Sequence, residues 1–303
     1  MNAATSEAGI ERSISNFELA LAKDPQSALG YAGLAVSYVA LSDFYRPPRE
    51  VMPKAKEAAR KALELDETLS EAHDALGWVE FIYGWNWPAA EQHLKRAIEL
   101  NPGNALAHDH YANYLSSFAR HAEAFAESQR AREIDPLSLL IQADSGFYFY
   151  MGRKYDRAIE QERRALELEP NCYTCRTYLA LAYAQKRQFA EALSQARRVR
   201  LPEASPLDVA TTASVIAGAG ERAEAERLLR DLRLVMKQRF VCPYEIATTY
   251  LALDERDEAL RWLEKGYQAR SICMIWVRVD PRLDPLRLDP RFEELLRRVG
   301  LSP

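Results

Sequence analysis

The chain has 303 residues, 48% hydrophobic and 28% charged, a balance that excludes a disordered chain and fits a folded soluble protein. Its formal net charge is −4, from 40 basic and 44 acidic residues, with a pI near 5.9, which argues against a nucleic-acid surface needing a dense basic footprint. No apolar run approaches the roughly 18–20 residues of a membrane helix, MNAATSEAGIERS has neither the basic start nor the apolar stretch of a secretory signal, and four cysteines suit a reducing compartment, so a cytoplasmic protein is expected.

In chain order, AGIERSISNFELALAK at 8–23 places Ile10, Ile14, Phe17 and Leu21 at spacings of four, three and four, one apolar helical stripe that Asp24-Pro25 ends. The stripe matches the second helix of a repeat whose first helix is missing, so a half-repeat is expected at 8–25. From Leu29, Tyr31, Leu34, Ala35 and Tyr38 begin a full unit. Its second helix is expected only at Pro53–Asp66, because the prolines in Ser42–Met52 should interrupt the helix and leave a loop. The next unit carries Leu76-Gly77 and then FIYGWNWPAAE, one residue longer than the norm, with Glu80 where a tyrosine belongs.

From there the pattern is regular. Pro102, Pro136 and Pro170 stand 34 residues apart, each behind a polar residue: Asn101, Asp135 and Glu169. Ala97, Ala131 and Ala165 lie five before each proline, and Ala90, Ala124 and Ala158 twelve before. Small residues recur because the two helices of a unit cross closely. Looser units follow around Ala213 to Leu229 and Ile246 to Gly266. The expected organisation is an array over 1–270, with units near 28–67, 70–102, 105–136, 139–170, 173–204, 206–237 and 240–270, then a cap over 271–303. In that cap, Asp280-Pro281, Asp284-Pro285 and Asp289-Pro290 break the helix until a short terminal one carrying Phe292, Leu295, Leu296 and Val299.

A 34-residue period on these alanines and prolines resembles the tetratricopeptide repeat (TPR), over residues 8–270. The resemblance implies an all-α, right-handed superhelical solenoid of about seven helix pairs, working as a scaffold that binds a protein or peptide in its concave groove. The RPPREVMPKAKEAARKALELD, GWNWPAAEQHLKRAIELNP and VDPRLDPLRLDPRFEELLRRVGL segments are similar to the C-terminal TPR regions of bacterial multidomain regulators. That likeness implies an upstream effector domain of winged-helix, kinase or cyclase type, and offers a small-molecule sensor as the alternative to a protein scaffold.

Catalytic motifs are absent: no H-E-x-x-H, G-x-S-x-G, Walker loop or dinucleotide fingerprint occurs, so neither an enzyme nor a cofactor is expected. Cys172 and Cys175 form a C-x2-C, but Cys242 and Cys273 fall about two units away, so the pair is read as small packing cysteines rather than a zinc or redox site. His73 and His108 occupy a packing position, and a metal site there is not expected. The groove should be lined by first helices at spacings of three, four and three. That stripe holds Glu71, Asp74, Trp78 and Phe81, then Leu106, Asp109, Asn113 and Ser116, then Leu140, Ala143, Phe147 and Tyr150. The acids would repel a peptide carboxylate, so chaperone-tail recognition is disfavoured. A basic, partly apolar segment is the expected partner, with Glu71, Asp74, Trp78, Phe81, Asp109, Asn113, Phe147 and Tyr150 as the contact residues.

Overall fold

The computed structural model describes residues 7–201 and 203–301. The start of the chain, read above for a targeting signal, and the last two residues of the expected cap lie outside them. Among the described residues there is no strand. A single leading helix, α1 (Glu7–Lys23), is followed by pairs: α2 (Ala28–Phe44) with α3 (Pro48–Leu65), α4 (Ser70–Val79) with α5 (Trp87–Leu100), and α6 (Ala105–Ser117) with α7 (His121–Ile134). Then come α8 (Leu139–Met151) with α9 (Tyr155–Leu168), α10 (Tyr173–Gln185) with α11 (Phe189–Ala196), α12 (Pro206–Gly218) with α13 (Arg222–Val235), and α14 (Pro243–Ala252) with α15 (Arg256–Gln268). Two 3-10 turns, Ile272–Trp276 and Pro281–Leu286, lead to α16 (Pro290–Val299). The pairs stack into a right-handed superhelical solenoid.

The 34-residue period has a local cause at each joint. After the proline that ends one unit, a small polar residue caps the next first helix. Ser27, Asn104, Ser138 and Cys172 accept from the backbone N–H three residues on, at Gly30, Ala107, Ile141 and Cys175. The polar residue before the proline turns the chain: Asp24 accepts from Gln26 N–H and Asn101 from Gly103 N–H. A second tie repeats with it. His73, His108, Gln142 and Arg176 each bond the backbone carbonyl six residues earlier, on Glu67, Pro102, Pro136 and Pro170. The histidines are thus structural clasps, as their packing position implied.

Within units, the turn between the two helices places one residue in the left-handed region: Ala119, Arg153, Arg187, Gly220 and Asp254, with φ of 61, 59, 59, 91 and 64°. Packing then follows from the alanines. Ala90, Ala97, Ala124, Ala131, Ala158 and Ala165 are all fully buried between helices.

Three expectations are corrected. The Ser42–Met52 stretch is not a loop. The α2 helix runs to Phe44 and α3 starts at Pro48, with Pro53 inside it, so the extra residues lengthen both helices. Pro48 sits in the first turn, where its missing N–H has no helical acceptor to lose. The surplus residue of FIYGWNWPAAE is absorbed by a π-helical turn, Glu80–Gly84, closed by Trp85 at φ 50°. The widened turn carries Phe81 off the concave stripe into the core, against Trp78, Trp87 and Tyr114. Finally, Cys172 and Cys175 are joined in a disulfide across the first turn of α10, not held as two separate cysteines.

The stretch before α16 does more than cover an end. Trp276 meets Phe147 edge-on, ring centres 4.9 Å apart, and Asp284 takes both guanidinium arms of Arg153 at 2.7 and 2.8 Å. Arg282 reaches Ser214 of α12 and Glu245 and Thr248 of α14. The tail therefore lies along the concave face, touching it at α8, α12 and α14. The ends of the array also meet. The Arg49 guanidinium donates to the Gln268 carbonyl at 3.0 Å, Arg270 donates to the carbonyls of Tyr83 and Gly84, and Arg239 pairs with Glu7 at 3.8 Å.

Candidate functional site

The expected groove residues divide into three groups. Glu71 is exposed at the start of α4. Phe81 and Tyr150 are fully buried, and Phe147 lies under Trp276, so these three aromatics present no free face. The other four, Asp74, Trp78, Asp109 and Asn113, come together on the facing sides of α4 and α6.

Their chemistry is a chain of acceptors. His110, which the spacing argument left out, lies between them: Nδ1 bonds Asp74 Oδ1 at 2.8 Å, and the ring stacks on Trp78 with centres 4.0 Å apart. Asp109 is 1% exposed and accepts from the Tyr148 hydroxyl at 3.2 Å. Its second neighbour is the carboxyl of Asp144, within hydrogen-bonding reach. Burial, followed by the charge of Asp144, holds the Asp109 carboxyl far above the usual carboxylate range. Burial pushes Asp144 up to about 6.

Asp144 is partly exposed, as are Trp78, Asn113 and Tyr178. These four mark a strip of the concave face, across α4, α6, α8 and α10, that the tail leaves open. Tyr178 stacks on Phe147 at 4.5 Å, and its hydroxyl sits in the field of Asp144, Asp208, Glu162 and Glu245. Burial, with these charges behind it, raises that phenol well above its ordinary value. Glu162 rises from α9 against Gly146 of α8. It is fully buried, neither of its carboxylate oxygens has a hydrogen-bond partner, and burial, then Asp144, pushes its carboxyl well up. Asn113 Oδ1 is likewise buried without a partner. Among the described residues, no three His, Cys, Asp or Glu side chains are gathered so as to hold a metal ion.

The spacing argument missed Asp144, Tyr178 and Glu162. One signal was present: Asp74, Asp109 and Asp144 stand 35 residues apart. Like charges recurring within one residue of the 34-residue period mark one face of a solenoid.

No family model matches the chain, and no curated protein matches it in sequence. Solved structures do. PilF of Pseudomonas aeruginosa is 19% identical with a TM-score of 0.52, covering 76% of this chain and 95% of its own. TTC0263, a thermophilic TPR protein of Thermus thermophilus, is 19% identical with a TM-score of 0.50, covering 58% of this chain and 91% of its own. The fold is a tetratricopeptide-repeat solenoid. Human IFIT1, solved as a dimer with m7Gppp-AAAA, is similar over a longer stretch, at 16% identity and a TM-score of 0.58, covering 87% of this chain and 68% of its own. Among the described residues of this TPR chain, no helix is long and apolar enough to cross a membrane.

Proposed function

We propose that this TPR solenoid is a protein-interaction module that binds a basic, partly apolar segment of another protein along the open strip of its concave face. The observation that carries the proposal is the Asp109–Asp144 carboxyl pair, set beside the half-open rings of Trp78 and Tyr178, with His110 as a basic neighbour and no lysine or arginine paired to either acid among the described residues. Aromatic faces bordered by acids favour a chain that brings apolar area and positive charge together. Asp74, Trp78, Asp109 and Asn113 remain the contact residues of this reading, joined by Asp144 and Tyr178. Glu71 lies at its rim. Phe81, Phe147 and Tyr150 support the strip from beneath. The likeness of three of the repeat segments to regulator C-terminal regions favours a role inside a bacterial signalling protein, with the partner segment on an attached or separate effector.

The test is selection of a random peptide display library on the full chain. Basic sequences with interspersed apolar residues should be enriched, and Trp78→Ala should abolish their retention while leaving the helical spectrum unchanged. Enrichment of acidic or neutral peptides, or equal retention by Trp78→Ala, would overturn the reading.

A further inference from the structure

We infer that Cys172 and Cys175 form a reversible dithiol–disulfide site that exchanges with small disulfides of the glutathione kind, Cys172 attacking and Cys175 resolving.

The repeat pattern does not call for two sulfurs here. The cap position that Cys172 holds before α10 is filled by Ser27, Asn104, Ser138 and Ser205 before α2, α6, α8 and α12. Each accepts from the backbone N–H three residues on, so an oxygen does the structural work. At the place of Cys175, the same register holds the buried apolar residues Ala107 and Ile141. Cysteine stands at both places in no other unit, and the structure joins the two. A bridge between residues three apart is a weak staple, because so short a loop removes little freedom from the unfolded chain.

The two sulfurs are not equivalent. Cys172 lies behind the exposed turn Glu169, Pro170 and Asn171 and keeps 8% of its surface in solvent. Cys175 is fully buried, in a cluster with Ala143 of α8 and Ala165 of α9. Cys172 Sγ also accepts the Cys175 N–H at 3.1 Å, at the positive end of the α10 dipole. Such a setting favours a negative sulfur, and the thiolate is the form that exchanges. Cys172 is thus the sulfur prepared to meet a small disulfide, and Cys175 has only to reach Cys172. Cys242 and Cys273 supply the contrast. Both are buried and unbridged, and Cys242, though it precedes α14, turns its sulfur to Ser271 Oγ at 3.2 Å and caps no N–H.

In the oxidising direction the Cys172 thiolate attacks one sulfur of the small disulfide, forming a mixed disulfide and releasing one small thiolate. The Cys175 thiol then gives up its proton and attacks Cys172 Sγ, breaking the mixed bond and releasing the second. Two cysteine thiols lose two electrons and two protons, and one small disulfide becomes two small thiols. Excess small thiol runs the sequence backwards.

The experiment equilibrates the full chain in glutathione buffers from reducing to oxidising, quenches with acid, alkylates in denaturant and reads each cysteine by peptide mass spectrometry. Cys172 and Cys175 should pass together from alkylated to bridged in one two-electron transition, and back, while Cys242 and Cys273 stay alkylated throughout. Cys175→Ala should trap the intermediate as a glutathione adduct on Cys172, at least about tenfold more abundant than any adduct on Cys175 in Cys172→Ser. Both replacements have precedents in the same register, Ala107 and Ser138, so the helical spectrum should be kept. A bridge that persists in the most reducing buffer would make the pair a fixed staple and overturn the site. Thiols that never pair, or equal adducts in the two variants, would overturn it too.

Discussion

Arg282 and Glu245 form a two-pronged ion pair that is more than nine-tenths buried on both sides, and it fastens the tail into the concave face. Burial alone would lower the guanidinium's pKa. The charges of Asp280 and Glu245 outweigh it and hold the group well up. Breaking one partner of such a pair leaves the other charge uncompensated in the interior. Arg282→Met should therefore destabilise the fold by about 3–5 kcal/mol. Arg298, whose pair with Glu264 at 2.9 Å lies at the surface, should cost under about 1 kcal/mol when replaced by Met. Denaturant midpoints of the two variants make the comparison; equal losses would show that Arg282 does not anchor the tail.

Glu162 supplies a pH prediction. Its folded pKa is raised above the unfolded value by burial and by Asp144. A carboxyl with a raised pKa contributes stability that is fully present below its unfolded pKa and is lost as pH rises through the folded one. Wild-type thermal stability should thus fall from mildly acidic pH toward alkaline pH. Glu162→Gln, which keeps the shape without the charge, should flatten that slope and gain on the order of 1 kcal/mol at pH 8 over pH 5. Parallel melting curves for the two proteins across that range would contradict the assignment.

The inter-helix turns supply a third. Ala119 holds φ of 61° and is exposed, so its methyl makes no contact that would be missed. Left-handed backbone costs a non-glycine residue about 1 kcal/mol, and glycine little. Ala119→Gly should stabilise the chain by roughly 0.5–1 kcal/mol in urea unfolding. A loss of stability would mean that unfolded-state entropy outweighs the strain.

A fourth concerns the leading helix. The Phe17 ring of α1 packs directly on Gly33 of α2, and a Cβ there would run into the ring. Gly33→Ala should cost about 1–3 kcal/mol through overpacking and loosen α1 first. Hydrogen exchange should show amides of α1 opening in the variant while those of α6 to α9 keep their protection. Unchanged exchange in α1 would show that the close fit is not needed.

The helix pairs were legible because one polar cap, one proline and two alanines per unit act locally and repeat. The cap at Asn104 and the buried Ala97 each reveal themselves within a few residues. The concave face was only partly legible. Spacing put Phe147 and Tyr150 on the inner stripe, yet both are buried, and no periodicity reports that a tail far downstream lays Trp276 over Phe147. Long-range closure of this kind depends on the superhelical path, which sums small rotations over every unit. Phe81 moved for a nearer reason. One surplus residue became a π-turn, and rotation by part of a turn exchanges groove for core. The proline-rich Ser42–Met52 stretch misled because proline breaks a helix in its interior but is welcome in its first turn, where Pro48 stands.

The central claim is that recognition occurs on the open strip while the tail stays in place. Hydroxyl-radical footprinting of the full chain, with and without the tightest basic peptide from the display selection, measures it directly. Oxidation should fall at Trp78 and Tyr178 on binding and stay unchanged at Trp276. Unchanged labelling of Trp78 and Tyr178, with protection appearing on the outer helices instead, would contradict the account.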